Sequence, residues 1–289
     1  TFDKKYVDRY TGIDISIAEI KKTLTALGFA LTEKDGDFTV TVPSWRATKD
    51  VTLKADIIEE ITRIYGYDNF DVFTAESPLL PVRKEVLKSD EDRMKDILVK
   101  SYRMHEVHSY IWAYYDEYRK LGLDVEDNVK ILNATNPNLE TLRRSIVPTQ
   151  LCQVKLNTGY APEFGVFEIG RVVKGLKDNG LCDERKLLAI TLFSKTASVK
   201  ELYFRLRDMI AVAVSEFKHK DISFRAIEAS ASHQHPKNLN AVVCDGTVLG
   251  EIGIVHPTVS KKIDKKANIV FAEIDIEEFA AIGNAMDNG

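Results

Sequence analysis

The sequence predicts an α+β protein: a small helix-and-strand domain followed by a larger antiparallel sheet with helices packed on it. Three observations carry this. Segments with helical spacing of apolar residues alternate with segments of period-two alternation along the whole chain. Asp35-Gly36 and Asp245-Gly246 stand where tight hairpin turns belong, so neighbouring strands pair antiparallel. The 289 residues are 44% hydrophobic and 29% charged, which is globular composition with room for two cores. The expected division is a small domain over 1–75, a linker over 76–85, a large domain over 86–283 and a tail over 284–289.

In the small domain, Ser16 and Glu19 form a capping box, and Ile20, Leu24 and Leu27 follow on one helical face until Gly28 stops the helix. A short strand from Phe29 to Thr32 leads to the Asp35-Gly36 turn. Phe38, Val40 and Val42 then alternate with Thr39 and Thr41, and Pro43 ends that strand. A second helix is expected from about Thr52 to Tyr65. At about 100° per residue, Ile57, Ile58, Ile61, Ile64 and Tyr65 share one face, while Asp56, Glu59, Glu60 and Arg63 share the other. Asp50 lies within reach from the preceding loop.

Four carboxylates crowded together repel one another unless something neutralises them. A hard divalent cation, Mg²⁺ above all, would do so through oxygen ligands. Acidic residues also favour helix N-termini through the macrodipole, and Glu59 with Arg63 fits an i, i+4 pair on a solvated face. Spacing alone leaves both readings open.

In the large domain, Glu76 to Pro81 reads as linker. Ser89-Asp90-Glu91-Asp92 opens a helix over about Asp90 to Arg103, with Met94, Ile97 and Leu98 on one face. Strands are expected at Glu106–Ile111, Val129–Leu132, Phe164–Val173, Lys186–Phe193, Ser223–Ala226, Ala241–Cys244, Val248–Val255 and Ile269–Ile274, and a long helix at Val199–Phe217. His233 and His235 are a weak metal pair without a nearby Cys and fit local turns better. Arg143 and Arg144 could meet RNA phosphate or make a salt bridge at a helix start. Trp45 and Trp112 read as packing residues. No nucleophile–His–acid pattern stands out, so no catalytic residue is expected.

The run Val42-Pro43-Ser44-Trp45-Arg46, followed by Asp56-Ile57-Ile58-Glu59-Glu60 and Arg63-Ile64-Tyr65-Gly66-Tyr67-Asp68, resembles the signature of a small winged-helix-like domain in phenylalanine–tRNA ligase β subunits. Leu142-Arg143-Arg144-Ser145, Val166-Phe167-Glu168-Ile169-Gly170-Arg171 and Gly250-Glu251-Ile252-Gly253 follow in the order of that family's synthetase-like domain. The resemblance implies a class II aminoacyl-tRNA synthetase fold and Mg²⁺ ligands at Asp50, Asp56, Glu59 and Glu60. One departure stands out: the family places its first acid two residues after the Arg, whereas Asp50 comes four after Arg46.

The resemblance further implies a non-catalytic subunit that pairs with a catalytic α subunit in an α2β2 assembly. That assembly would charge tRNA(Phe) with phenylalanine using ATP bound by α. The pairing helices would correspond to the 90–103 segment, whose Met94, Ile97 and Leu98 face either the α subunit or this domain's own sheet. A catalytic class II site needs arginines on the ATP phosphates. No Arg directly precedes Glu168, and no Gly-rich run ends in Arg. A biotin- or lipoate-ligase-like enzyme would need that loop as well, and a stand-alone DNA-binding regulatory module would need a basic recognition helix. The net charge of −4 argues against nucleic acid as the dominant partner. Three cysteines without a CxxC pair fit a reduced, cytoplasmic setting, and no apolar run suits a membrane span. The chain lacks an initiator Met and both ends read as cut, so a piece of a longer protein is expected.

Overall fold

The computed structural model describes residues 1–82, 85–124 and 128–283. The expected tail at 284–289 and residues 83–84 of the expected linker lie outside them. The chain forms two compact units, Thr1–Pro81 and Val82–Gly289.

The first unit runs β1 (Phe2–Asp3), α1 (Lys4–Thr11), α2 (Ile17–Ala26), β2 (Ala30–Lys34), β3 (Asp37–Thr41) and α3 (Lys54–Tyr65). Ser16 caps α2 by accepting from Glu19 N–H. The β2–β3 hairpin pairs Ala30 with Thr41 through Lys34 with Asp37, and β1 adds to the far side of β3. Its turn needs left-handed backbone at both Asp35 and Gly36, which that dipeptide tolerates. Ile20, Leu24, Phe38 and Ile61 are buried in one core.

The second unit runs α4 (Val86–Lys100), β4 (His105–Glu106), α5 (Tyr115–Leu121), α6 (Val147–Leu156), β5 (Glu163–Leu176), β6 (Cys182–Ser194), α7 (Val199–Lys218), β7 (Ile222–Ala226), β8 (Gln234–Cys244), β9 (Thr247–Val255), α8 (Pro257–Ile263), β10 (Asn268–Asp275) and α9 (Ile276–Ala281). Its sheet has the order β4-β5-β6-β10-β9-β8-β7. All pairs are antiparallel except β4–β5, which makes the sheet mixed at one edge. Alternation along β10 divides two cores: Val270, Ala272 and Ile274 face α4, α7 and α9, while Ile269 and Phe271 face α5, α6 and α8.

Several expectations are corrected. The expected strand at 106–111 ends at Glu106, because only Val107 N–H continues to β5, on Phe167 O. From Ile111 onward the backbone instead bonds to residues 141–143. The expected strand at 129–132 is a single bridge from Lys130 to Thr141. In α3, Glu60 turns inward at 5% exposure and Ile64 outward at 51%. Periodicity gives the angle around an axis and not what covers it: Arg46 and Arg63 cover Glu60, while Ile64 sits at the margin of the apolar stripe whose Tyr65 still packs on the core. Trp45 is 70% exposed, held in the turn at 44–50 with its ring over Gly28. Met94 and Leu98 of α4 are buried in their own unit's core, with Ile97 packed against it.

Candidate functional site

Two places concentrate charge: the start of α3 and the cleft over the second sheet. At α3, Asp56 stands in the first turn, where its Oδ2 accepts from the backbone N–H groups of Thr52 (2.7 Å) and Leu53 (2.6 Å). These two bonds hold its carboxyl below the usual range. Glu60, one turn on, receives Arg63 Nη2 at 2.6 Å and Arg46 Nη2 at 3.0 Å. Arg63 foremost, then Arg46, lowers its carboxyl to about 2 against the opposing effect of burial. Arg46 also pairs with Asp50, chiefly through Nε. Glu59 is exposed.

The four acids therefore do not converge. Asp56 serves the helix N-terminus, Asp50 and Glu60 are bridged by a guanidinium, and Glu59 faces outward. No group of three or more His, Cys, Asp or Glu side chains among the described residues could hold a metal ion. As folded, this set does not fit Mg²⁺, which demands oxygen ligands at about 2.0–2.1 Å in near-octahedral array.

The second place is a cleft of about 780 Å³ on the sheet face shared with α5 and α6. Glu251 and Glu273 line it, and their register row continues beyond it to β5: Glu168 on β5 and Glu273 on β10 both stand opposite Ala189, and Glu273 stands opposite Glu251 on β9. Three carboxylates thus lie at one level of the sheet, each with its own donors. Arg143, 2% exposed, bonds Glu168 Oε1 at 2.9 Å and Ser109 Oγ at 2.6 Å, and Ser109 in turn donates to Glu168 Oε2. A Cβ on Gly170 would lie 2.5 Å from Arg143 Nη2, so the buried pair needs glycine there. Glu273 accepts from Ser145 Oγ and Ile146 N–H. Glu251 accepts from Gln234 Nε2 through both oxygens, and Gln234 is oriented by Ser230 and Ala231 N–H groups on its Oε1. Burial foremost, then the Glu273 charge, raises the Glu251 carboxyl. Gly250 carries β9 against β10: a Cβ there would meet Glu273 O at 2.0 Å.

Arg143 is therefore a buried structural cation and not a phosphate contact. Lys174, at the cleft wall, donates to Arg144 O at 2.8 Å. The two histidines do not pair. His233 is buried, with burial driving its pKa down to about 4, and His235 bonds locally to Lys237 N–H. The carboxylate row escaped the sequence reading because its members lie up to 105 residues apart and meet only through strand order.

A family model described as "Phenylalanyl tRNA synthetase beta chain CLM domain" matches residues 75–276, and one described as "tRNA synthetase B5 domain" matches residues 1–67. The chain belongs to the phenylalanyl-tRNA synthetase β-chain family. Among relatives, the phenylalanine–tRNA ligase β subunit of Leptospira biflexa is 28% identical over 279 residues, covering 94% of this chain and 34% of that protein. That of Staphylococcus epidermidis is 30% identical over 284 residues, again covering 94% and 34%. The chain thus spans about a third of the length of these relatives. A solved pyrrolysyl tRNA synthetase from Desulfitobacterium hafniense superposes with a TM-score of 0.52 at 15% identity, covering 68% of this chain and 66% of that one. This likeness shows a class II synthetase fold for the β-chain sheet.

Proposed function

We propose that this β-chain segment supports the charging of tRNA(Phe) by assembly with a catalytic α subunit in an α2β2 enzyme and by contact with tRNA, without chemistry of its own. The observation that supports the last point is the floor of the sheet cleft. Adenylate formation builds negative charge on ATP phosphates and needs cations aimed at them. Here the register row is carboxylate, and Arg143 is committed to Glu168. A triphosphate over Glu251 and Glu273 would meet repulsion in a partly dry site, where charges interact strongly. ATP binding would belong to the α subunit.

The test is phenylalanine-dependent ATP–pyrophosphate exchange. The purified chain is expected to show none above background, and robust exchange free of α subunit would overturn the proposal. Assembly is checked by co-purification with a tagged α subunit, followed by aminoacylation of tRNA(Phe). Failure of the two chains to associate would remove the assembly part of the reading.

A further inference from the structure

We propose that Arg46 is the resident cation of the first unit, so that with Arg63 it neutralises Asp50 and Glu60 and the unit works without a divalent metal. The local chain explains how. In the turn at 44–50, Arg46 N–H bonds Pro43 O and Val51 N–H closes back on Arg46 O at 3.0 Å. Lys49 takes a left-handed backbone, φ 63°, inside that closure. The four-residue spacing from Arg46 to Asp50 then brings both side chains to one side, where they pair. With a spacing of two, an extended chain would still place both on one side but would leave no turn to fold the acid back under the guanidinium.

The second half of the device comes from α3. Glu60 is nearly buried, its side chain 7% exposed, and lies between Arg46 and Arg63. Two carboxylates, Asp50 and Glu60, face two guanidinium groups, so the local formal charge is zero. A divalent ion entering this set would have to displace a bidentate, charge-assisted fork from Glu60 and draw Asp56 off two backbone amides. Mg²⁺ also gives up its own water reluctantly, which adds to that cost. Of the four acids that suggest a metal from spacing, Asp50 and Glu60 are therefore balanced by guanidinium groups and Asp56 by two backbone amides, while Glu59 faces outward.

The experiment uses the purified 289-residue chain at matched ionic strength. Thermal unfolding is compared in EDTA and in millimolar MgCl₂, and amide NMR signals of residues 50–60 are followed during sub-stoichiometric addition of Mn²⁺. The melting temperature is expected to agree within about 1 °C between the two conditions, against the roughly 4–8 °C that 1 kcal/mol of site stabilisation would produce in a unit of this size. Selective Mn²⁺ broadening is expected to be absent. A saturable rise in melting temperature with Mg²⁺, or selective broadening of these amides, overturns the proposal.

Removing the resident cation should reverse the behaviour. Arg46→Met leaves Asp50 and part of Glu60 unbalanced, and its first-unit transition is expected to fall by several degrees and to recover with Mg²⁺. Unchanged melting of Arg46→Met in EDTA overturns the role assigned to Arg46. Should Arg46→Met not fold in EDTA, Arg46→Lys, which keeps the charge, is expected to fold, and collapse of both variants overturns the proposal.

Discussion

Arg143 and Glu168 meet across 25 residues of sequence with 2% and 0% side-chain exposure. Spacing could place Arg143 at a helix start but could not tell a surface ion pair from a buried one. Depth depends on β5 and on the 109–111 segment, which only the folded chain brings together. Taking one charge away leaves the other without a partner in a dry environment, while removing both leaves neither stranded. Arg143→Met is therefore expected to destabilise the second unit by about 3–5 kcal/mol, and Arg143→Met with Glu168→Leu to recover much of that loss. Urea unfolding of the two variants checks this. A double variant no more stable than the single would show that the pair contributes through packing around Gly170 and not through charge. At the same scale, Asp56, Glu59 and Glu60 were legible as an acidic cluster, but their partners were not. Glu60 reads as surface on a helical wheel and is in fact covered by two arginines.

The helix α4 shows what an element's pattern can and cannot say. The positions Met94, Ile97 and Leu98 were legible as an apolar face; what that face meets was not. Two readings were open, the unit's own sheet or a partner chain, and the structure buries Met94 and Leu98 against the core shared with α7 and α9. The helix is also tied down by charge: Asp90 receives Lys218 Nζ at 3.1 Å in a buried pair, and the buried Glu91 forms an ion pair with Lys186. Leu98→Ala should cost about 2–5 kcal/mol, because Leu98 is 1% exposed and its removal leaves a cavity. Val86→Asp and Val99→Asp, at 62% and 45% exposure, should stay within about 0.5 kcal/mol of the parent. Denaturant midpoints of the three variants decide the matter. A mild Leu98→Ala would mean that α4 is held by its ion pairs more than by its apolar face. Strand extents erred in the same way: β5, β6 and β8 run past their expected ends because pairing partners, not local propensity, set where a strand stops.

At the scale of the whole molecule, the α+β class and the hairpins at Asp35-Gly36 and Asp245-Gly246 were legible, because turn chemistry and alternation are local. The order β4-β5-β6-β10-β9-β8-β7 was not, since β6 pairs with β10 across more than 70 residues of intervening chain. The parallel β4 edge was missed for the same reason. What the two units do share with the sequence pattern is separate cores: Val7, Ile20, Leu24, Phe38 and Ile61 in the first, and the two faces of the large sheet in the second. A core closed within one unit implies that the unit's stability arises from its own contacts. The first unit has 81 residues by its bounds, a size at which a single hydrophobic core is sufficient for many domains. Residues 1–81 expressed alone are therefore expected to unfold cooperatively and to give a dispersed amide spectrum. The full chain is expected to show that same transition at nearly the same temperature, beside a second one from the larger unit. A collapsed, non-cooperative 1–81 segment would mean that the buried face of α3 and the β1–β3–β2 sheet depend on chain beyond Pro81.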